Sequence, residues 1–377
     1  MKPDEKVMDC LNQWQEEHLH LLTTLARIPA PSHHEEQRAD FCKQWLEGVG
    51  AEGVYIDGAL NVIYPIGVTE ENPLVVFAAH SDVVFPDETP LPLTIEDGRI
   101  CCPGIGDDTA CVAALLMAAK YIASNRLQPK DHGVLLVINS CEEGLGNLKG
   151  TKQLFGDFGS RIREFITFDG RQLRGVDQAV GSKRYQVEIE TEGGHSYGSF
   201  GNRNAIACLA ELIGRLYAQP IPPMGKTTYN VGTICGGTSV NTIAQQAEML
   251  YEFRSDCRES LAIMQQQFDA ALEQTRAQGI TVNVTKVGDR PCSGDVDPDA
   301  MAALKERAQA ASMEVYDKGV DFISGSTDCN VPLSMGIPAI CVGCYEGSGA
   351  HTRQEYVLLD SLLPGLQFTL SMVLHSF

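Results

Sequence analysis

The run Leu74-Val75-Val76-Phe77-Ala78-Ala79 contains no polar side chain and ends in His80-Ser81-Asp82. It is too short for a helix and shows no alternation, so it reads as a strand buried on both faces, the kind found in sheets covered by helices on each side. Such sheets gather their polar groups at the carboxyl ends of the strands. His80 and Asp82 stand at such an end. Two residues apart on an extended chain share a side, so Asp82 can accept a hydrogen bond from the His80 ring and fix the tautomer of a metal-ligating histidine. An isolated His-x-Asp also occurs as a surface pair or a satisfied core histidine, and the rest of the chain has to decide.

Three further apolar runs repeat the arrangement. Gly133 to Ser140 ends in Cys141-Glu142-Glu143-Gly144, Phe165 to Phe168 ends in Asp169-Gly170, and Ala339 to Val342 leads through a glycine-rich loop to His351. Shorter strands are expected at Val54 to Ile56 and Asn61 to Tyr64. Helical periodicity separates several strands. Glu5 to Ile28 reads as one amphipathic helix, stopped by Pro29 and Pro31. Ser32 with Glu35 three residues on predicts a capping box for a second helix, through Phe41, Trp45 and Leu46 to Gly48-Val49-Gly50. Asp107-Asp108-Thr109 heads an apolar helix, Ala110 to Ala123. The fold class is α/β, an open mixed sheet with helices on both faces.

The middle of the chain alternates differently. Lys183 to Thr191, Tyr229 to Cys235, Ala247 to Asp256 and Thr281 to Val287 read as half-buried strands, with amphipathic helices at Ala205 to Tyr217 and Ser260 to Gln278. This βαββαβ order suffices for a four-stranded sheet with two helices on one side. The expected division is an inserted α+β domain at 182–292 within a first domain of 1–181 and 293–377.

Composition narrows the functions. A formal charge of -20 with no offsetting basic run argues against nucleic-acid or anionic-membrane partners. No stretch of eighteen apolar residues and no signal-peptide core stands in the sequence, so a soluble, cytoplasmic protein is expected. The 13 cysteines, several in apparent strands and helices (Cys111, Cys208, Cys235, Cys341), fit reduced, buried small hydrophobes. Cys341-Val-Gly-Cys344 could be half a zinc site or a redox pair, but no second pair accompanies it. His18, His20, His33, His34 and His132 carry no partner pattern and read as surface residues.

The acids and histidines at the strand ends form one set. Several unpaired carboxylates packed together are costly through repulsion and desolvation, and a cation relieves the cost. Near them in sequence only Arg171 could do so, which favours a metal. Histidine and carboxylate without thiolate suit zinc, manganese or cobalt. Neighbours Glu142 and Glu143 point in different directions, so one can hold metal while the other handles the proton of an attacking water. A phosphate loop at Gly104-Ile105-Gly106 is disfavoured by the two carboxylates and by the missing Gly-Lys-Ser/Thr. No cysteine has the flank of a nucleophile.

The segments His80-Ser81-Asp82, Gly106-Asp107-Asp108, Glu142-Glu143-Gly144, Asp169-Gly170, Gly193-Gly194-His195-Ser196 and Ala350-His351-Thr352 resemble, in order and spacing, the di-zinc exopeptidases. That family includes peptidase T, carboxypeptidase G, aminoacylase and succinyl-diaminopimelate desuccinylase. The resemblance covers nearly the whole chain. It implies a zinc-exopeptidase-like catalytic domain, a ferredoxin-like lid and dimerisation domain, and two Zn2+ per subunit, with Mn2+ or Co2+ possible. Asp107 would bridge the metals, with His80 and Asp169 on one and Glu143 and His351 on the other. Asp82 would orient His80, Glu142 would be the general base, and the Asp107-Asp108 peptide would be cis. His195 resembles the lid histidine that crosses a homodimer interface to steady the oxyanion.

Asn241, Arg290, Ser326 and Thr327 resemble substrate-binding positions. Arg290 could also be an ordinary loop arginine, and Arg254 reads as a structural ion pair with Asp256 or a nearby acid. The resemblance points to hydrolysis of amide bonds in small peptides or N-acyl amino acids. Asp169, where relatives with glutamate tend to be carboxypeptidases or deacylases, favours a peptidase T-like aminopeptidase. The alternatives are a deacylase or carboxypeptidase and, from another class, a non-catalytic binding protein of the same fold.

Overall fold

The computed structural model describes residues 5–377, with side chains from residue 7 onward. The chain divides into two compact units, Met1–Gln178 with Gly294–Phe377, and Ala179–Ser293. Among the described residues no helix is long and apolar enough to cross a membrane.

The first unit is built on an eight-stranded mixed sheet in the order Tyr55–Ile56, Val62–Ile66, Gly133–Asn139, Leu74–His80, Ile162–Phe168, Ala339–Val342, Arg174–Ala179, Asp321–Gly325. Leu74–His80 and Gly133–Asn139 are buried at every residue, as runs without alternation require. Leu74–His80 runs parallel to both its neighbours, and Ala339–Val342 runs parallel to Ile162–Phe168. The shared direction sets His80 opposite Asn139 and Val342 opposite Phe168. Residues 80–82, 141–143, 169 and the loop after Val342 therefore emerge at one edge. Antiparallel strands close both flanks. The helices Gln15–Ala26, Cys111–Ser124, Pro298–Tyr316 and Leu359–Leu374 bury Leu22, Met117, Leu304 and Phe368 in the same core as Phe77 and Phe168.

Three local expectations are corrected by tertiary contacts. The first helix breaks at Trp14 into Glu5–Gln13 and Gln15–Ala26. Its apolar stripe passes through Trp14 unbroken, so the periodicity carries no sign of the break. Trp14 is instead held edge-on to Tyr121, with the Lys120 ammonium over the indole. The capping box does not form. The helix Glu36–Gly48 has no side-chain cap, because the Ser32 hydroxyl donates to Asp82 Oδ2 at 2.6 Å and Glu35 accepts the backbone N–H of Cys141 at 3.0 Å. His18 is buried, not on the surface, at 3% exposure.

The second unit is a four-stranded antiparallel sheet in the order Thr227–Gly236, Gln246–Ser255, Gly181–Glu190, Thr281–Arg290, with helices Ala205–Tyr217 and Arg258–Arg276, a ferredoxin-like α+β fold. Alternation along Gln246–Ser255 buries Ala247, Met249, Tyr251 and Phe253 against Leu209, Leu212, Met264 and Phe268. Thr227–Gly236 is an edge strand, so its Cys235 is exposed rather than a core residue. A short hairpin pairs His195 with Thr242. Arg254 forms the expected ion pair with a nearby acid, Glu252, at 3.0 Å.

Candidate metal centre and active site

His80 closes its strand almost fully buried. Its Nδ1 lies 3.0 Å from the backbone carbonyl oxygen of Asp82 and 3.4 Å from the Asp82 carboxylate. The ring thus faces both the main-chain carbonyl and the carboxylate of Asp82. Nε2 lies 3.2 Å from Asp107 Oδ1, so a proton or a metal ion on Nε2 is shared with that carboxylate.

The Asp82 carboxylate is fully buried and binds more than His80. Oδ1 accepts the N–H of Glu142 at 2.8 Å, and Oδ2 accepts the N–H of Glu143 at 3.0 Å along with the Ser32 hydroxyl. Asp82 therefore ties the end of the His80 strand to the turn carrying both glutamates. Burial opposes its ionisation, but its bonds with His80, Ser32 and Glu143 hold it below the usual carboxylate range.

Asp107 and Asp108 sit in a wide turn, Ile105–Ala110, joined by a cis peptide bond. Asp107 Oδ2 lies 3.1 Å from His351 Nε2, which is itself 3.3 Å from Glu143 Oε1. The two oxygens of one carboxylate thus address two different histidines. Asp108 Oδ2 accepts the His80 backbone N–H at 3.0 Å, while Asp108 Oδ1 is buried with no hydrogen-bond partner. Donor atoms of His80, Asp108 and Asp169 lie within 4.8 Å of one another, as do those of His80, Asp107 and Glu143.

Burial pushes Asp169 and Asp108 well above the usual carboxylate range and Glu143 up to about 7, with the neighbouring carboxylates adding to the push. Burial alone would depress His80, but Asp108, Asp107 and Asp82 together raise it. Asp107 is held low, since its hydrogen bonds to His351 and His80 outweigh its burial. The cluster is short of positive charge, and Arg171 does not supply it, being paired with Glu346 at 3.0 Å. The convergence of His80 Nε2 and Asp107 Oδ1, the buried Asp108 oxygen that has no hydrogen-bond partner among the described residues, and a donor set of imidazole and carboxylate all fit metal ions.

Around this cluster lie residues that the sequence reading did not assign. Arg38, 2% exposed, donates to the carbonyl of Ser81 at 2.7 Å and to the Thr109 hydroxyl at 3.3 Å, fixing the two loops that carry His80 and Asp107. Asp328 accepts from Asn139 Nδ2 at 2.7 Å and from the Thr151 hydroxyl, and burial with the Glu142 charge pushes it up to about 7. Glu355 accepts three backbone N–H groups of the Asp107 loop. Only an acid four residues beyond His351 marked it in the sequence.

Of the residues expected to bind substrate, Thr327 is mostly buried, and its hydroxyl accepts the N–H of Cys329 at 3.2 Å, within its own turn. Ser326 is half-buried beside it. In the second unit, His195 Nδ1 accepts the N–H groups of Tyr197 and Gly198 at 3.2 and 3.3 Å. Asn241 adjoins it, its carbonyl accepting the N–H of Ser196 at 3.0 Å. Arg290 ends its strand opposite Ser182 at 4% exposure, not in a loop, and its charge depresses Arg184 further than burial alone does.

The sequence profile of Peptidase family M20/M25/M40 matches residues 76–375. A putative succinyl-diaminopimelate desuccinylase, DapE, of Mycobacterium tuberculosis is 25% identical, covering 91% of this chain and 94% of its own. Among solved structures, a tripeptidase of Staphylococcus aureus superposes with a TM-score of 0.77 at 20% identity, covering 96% of this chain and 98% of that one. The aminopeptidase PepT of Bacillus cereus gives a TM-score of 0.71 at 20% identity over the same shares. With a profile match across most of the chain and a metal-binding cluster at the sheet edge, this protein belongs to Peptidase family M20/M25/M40 and is an enzyme, a metallopeptidase or amidohydrolase.

Proposed function

We propose that the enzyme is a peptidase T-like aminopeptidase of small peptides that works with two zinc ions per subunit, replaceable by manganese or cobalt. The observation that carries this reading is Asp107, whose oxygens lie 3.2 Å from His80 Nε2 and 3.1 Å from His351 Nε2. Asp107 would hold one ion together with His80 and Asp169, and the other together with Glu143 and His351. Bound there, the ions supply Lewis-acid polarisation of the scissile carbonyl and acidify water. Glu142, at 6% exposure, takes the proton of the attacking water and returns it to the leaving amine nitrogen. Asp82 fixes the backbone from which Glu142 projects. Arg290 receives the substrate carboxylate, while Asn241, Ser326 and Thr327 meet its backbone. The thirteen cysteines, all free thiols, support a reducing, cytoplasmic setting.

Aminopeptidase action is supported by Asp169 and by the likeness to the tripeptidase and to PepT. The likeness to the desuccinylase supports the second reading, a deacylase or carboxypeptidase acting on N-acyl amino acids or dipeptides. A hydrolysis screen of free, N-blocked and C-blocked peptides with zinc, manganese or cobalt added separates them. Cleavage of free peptides, weaker cleavage of C-blocked ones that lack the carboxylate for Arg290, and none of N-blocked ones is expected. Cleavage confined to N-acylated substrates would replace the first reading with the second.

The second unit, at 182–292, acts as a lid and dimerisation domain, with His195 of the partner subunit steadying the oxyanion of the tetrahedral intermediate. Tyr197 and Phe200 are each 90% exposed beside His195, large apolar side chains that an assembly would cover. Mixing inactive His195→Ala and Glu142→Ala proteins should restore activity through hybrid dimers that hold one intact site. No recovery after subunit exchange would rule out action across the interface.

A further inference from the structure

Glu355 lies at 2% exposure between His351 and the strand Tyr356–Leu358. Its Oε2 accepts the N–H of Gly104 at 2.7 Å, and its Oε1 accepts those of Gly106 and Asp107 at 2.9 and 2.8 Å. Its main chain is tied to both sides as well. The Glu355 carbonyl accepts the N–H of Cys102 at 3.2 Å, and its own N–H donates to the Thr352 carbonyl at 3.3 Å. One residue thus grips the loop that carries Asp107 and the loop that carries His351.

The Asp107 loop needs such a grip. Gly104 adopts a left-handed conformation at φ +75, which a helix or strand would not hold in place. Gly106 also lies so close to the Tyr345 ring that a Cβ there would sit 2.6 Å from it. The ring leaves room for glycine only, and the Glu355 carboxylate supplies the directional bonds.

We infer that Glu355 is a positioning residue that sets the span between Asp107 and His351, and so controls the affinity of the metal ion those two hold with Glu143. The inference rests on the two-metal reading above. It predicts unequal effects on the two ions, because both share Asp107 but only the ion held with His351 draws on both loops that Glu355 ties, while His80 and Asp169 stand on strands that none of these bonds touches. Groups that orient metal ligands typically contribute about 10–100-fold to affinity.

Glu355→Gln tests this, since it preserves side-chain volume but turns an NH2 donor against the N–H of Gly104 or of Gly106 and Asp107. Chelator-stripped wild type and variant are titrated with Zn2+ by calorimetry and with Co2+ by absorbance, and the metal-free melting temperature of each is recorded. The expected result is about a 10–100-fold weakening of one metal equivalent, with the other, which shares only Asp107 with the tied loops, weakened by a smaller factor. Should Glu355→Gln fail to fold, Glu355→Asp, which keeps both acceptors on a shorter arm, is expected to weaken the same equivalent to a smaller degree. Two wild-type-like equivalents in the folded variant would overturn the role of Glu355 alone. A wild-type protein that binds fewer than two equivalents would instead remove the two-metal reading and this inference with it.

Discussion

The carboxylate of Asp82 receives the backbone N–H of Glu142 at 2.8 Å, so the strand that presents His80 also fixes the turn that presents the proposed general base. The same carboxylate binds the N–H of Glu143 and the Ser32 hydroxyl. Asp82→Asn would leave an NH2 facing one of these donors. A buried donor without an acceptor costs about 1–3 kcal/mol. Activity should fall about 10–100-fold with a lowered melting temperature. Steady-state kinetics beside thermal unfolding check this, and wild-type turnover in the variant would show that the turn keeps its shape unaided.

Glu142→Gln keeps the shape of the side chain and removes its basicity. General acid–base catalysis is worth about 10²–10⁴-fold, and kcat should drop by that order. Metal content should stay as in wild type, because Glu142 stands outside both proposed ligand sets. Elemental analysis of the purified variant separates this outcome from a loss of metal.

Stripping the metal with a chelator should abolish turnover and lower the melting temperature, and added zinc, manganese or cobalt should restore both. A ligand present at a hundred times its dissociation constant stabilises the folded state by about 2.7 kcal/mol. Scanning calorimetry with and without added metal measures the shift. Full activity in a preparation free of metal would end the metal reading altogether.

His18 supplies a pH dependence away from the site. It is buried with Nε2 unpartnered, and burial depresses its pKa to about 4. The unfolded chain therefore binds this proton between about pH 6.5 and 4 while the folded chain does not, so stability falls as pH falls through that window. The stability lost by pH 4, where the folded-state His18 is itself half protonated, is about 3 kcal/mol. His18→Leu should flatten the stability curve over that range in denaturant titrations. An unchanged slope would mean that His18 finds a proton acceptor when it charges.

Much of the fold was legible because burial on both faces leaves a mark that needs no partner to interpret. Leu74–His80 and Gly133–Asn139 could hardly be anything but central strands, and the alternation along Gln246–Ser255 declared its buried face. The order of His80, Asp107, Glu142, Glu143, Asp169 and His351 along the chain carried the resemblance to the family. The residues that hold them in place carried no such pattern. Glu355, Arg38 and Asp328 act through backbone groups distant in sequence, and an acid or arginine with such a partner looks like any surface charge until the chain is folded.

The sequence by itself determined the two sheet types, the helices between them and the set of residues at the strand ends, because hydrophobic period and chain order are local properties. Tertiary structure alone decided what those residues face. Ser32 and Glu35 have the spacing of a helix cap, yet one bonds Asp82 and the other Cys141, since the ends of buried strands offer donors and acceptors that water cannot reach. Asp82 has the spacing to orient His80 through its carboxylate, yet its carbonyl shares that contact and the carboxylate also binds the N–H groups of Glu142 and Glu143. Buried polar groups must find partners wherever the packing places them, and no local pattern records where that will be.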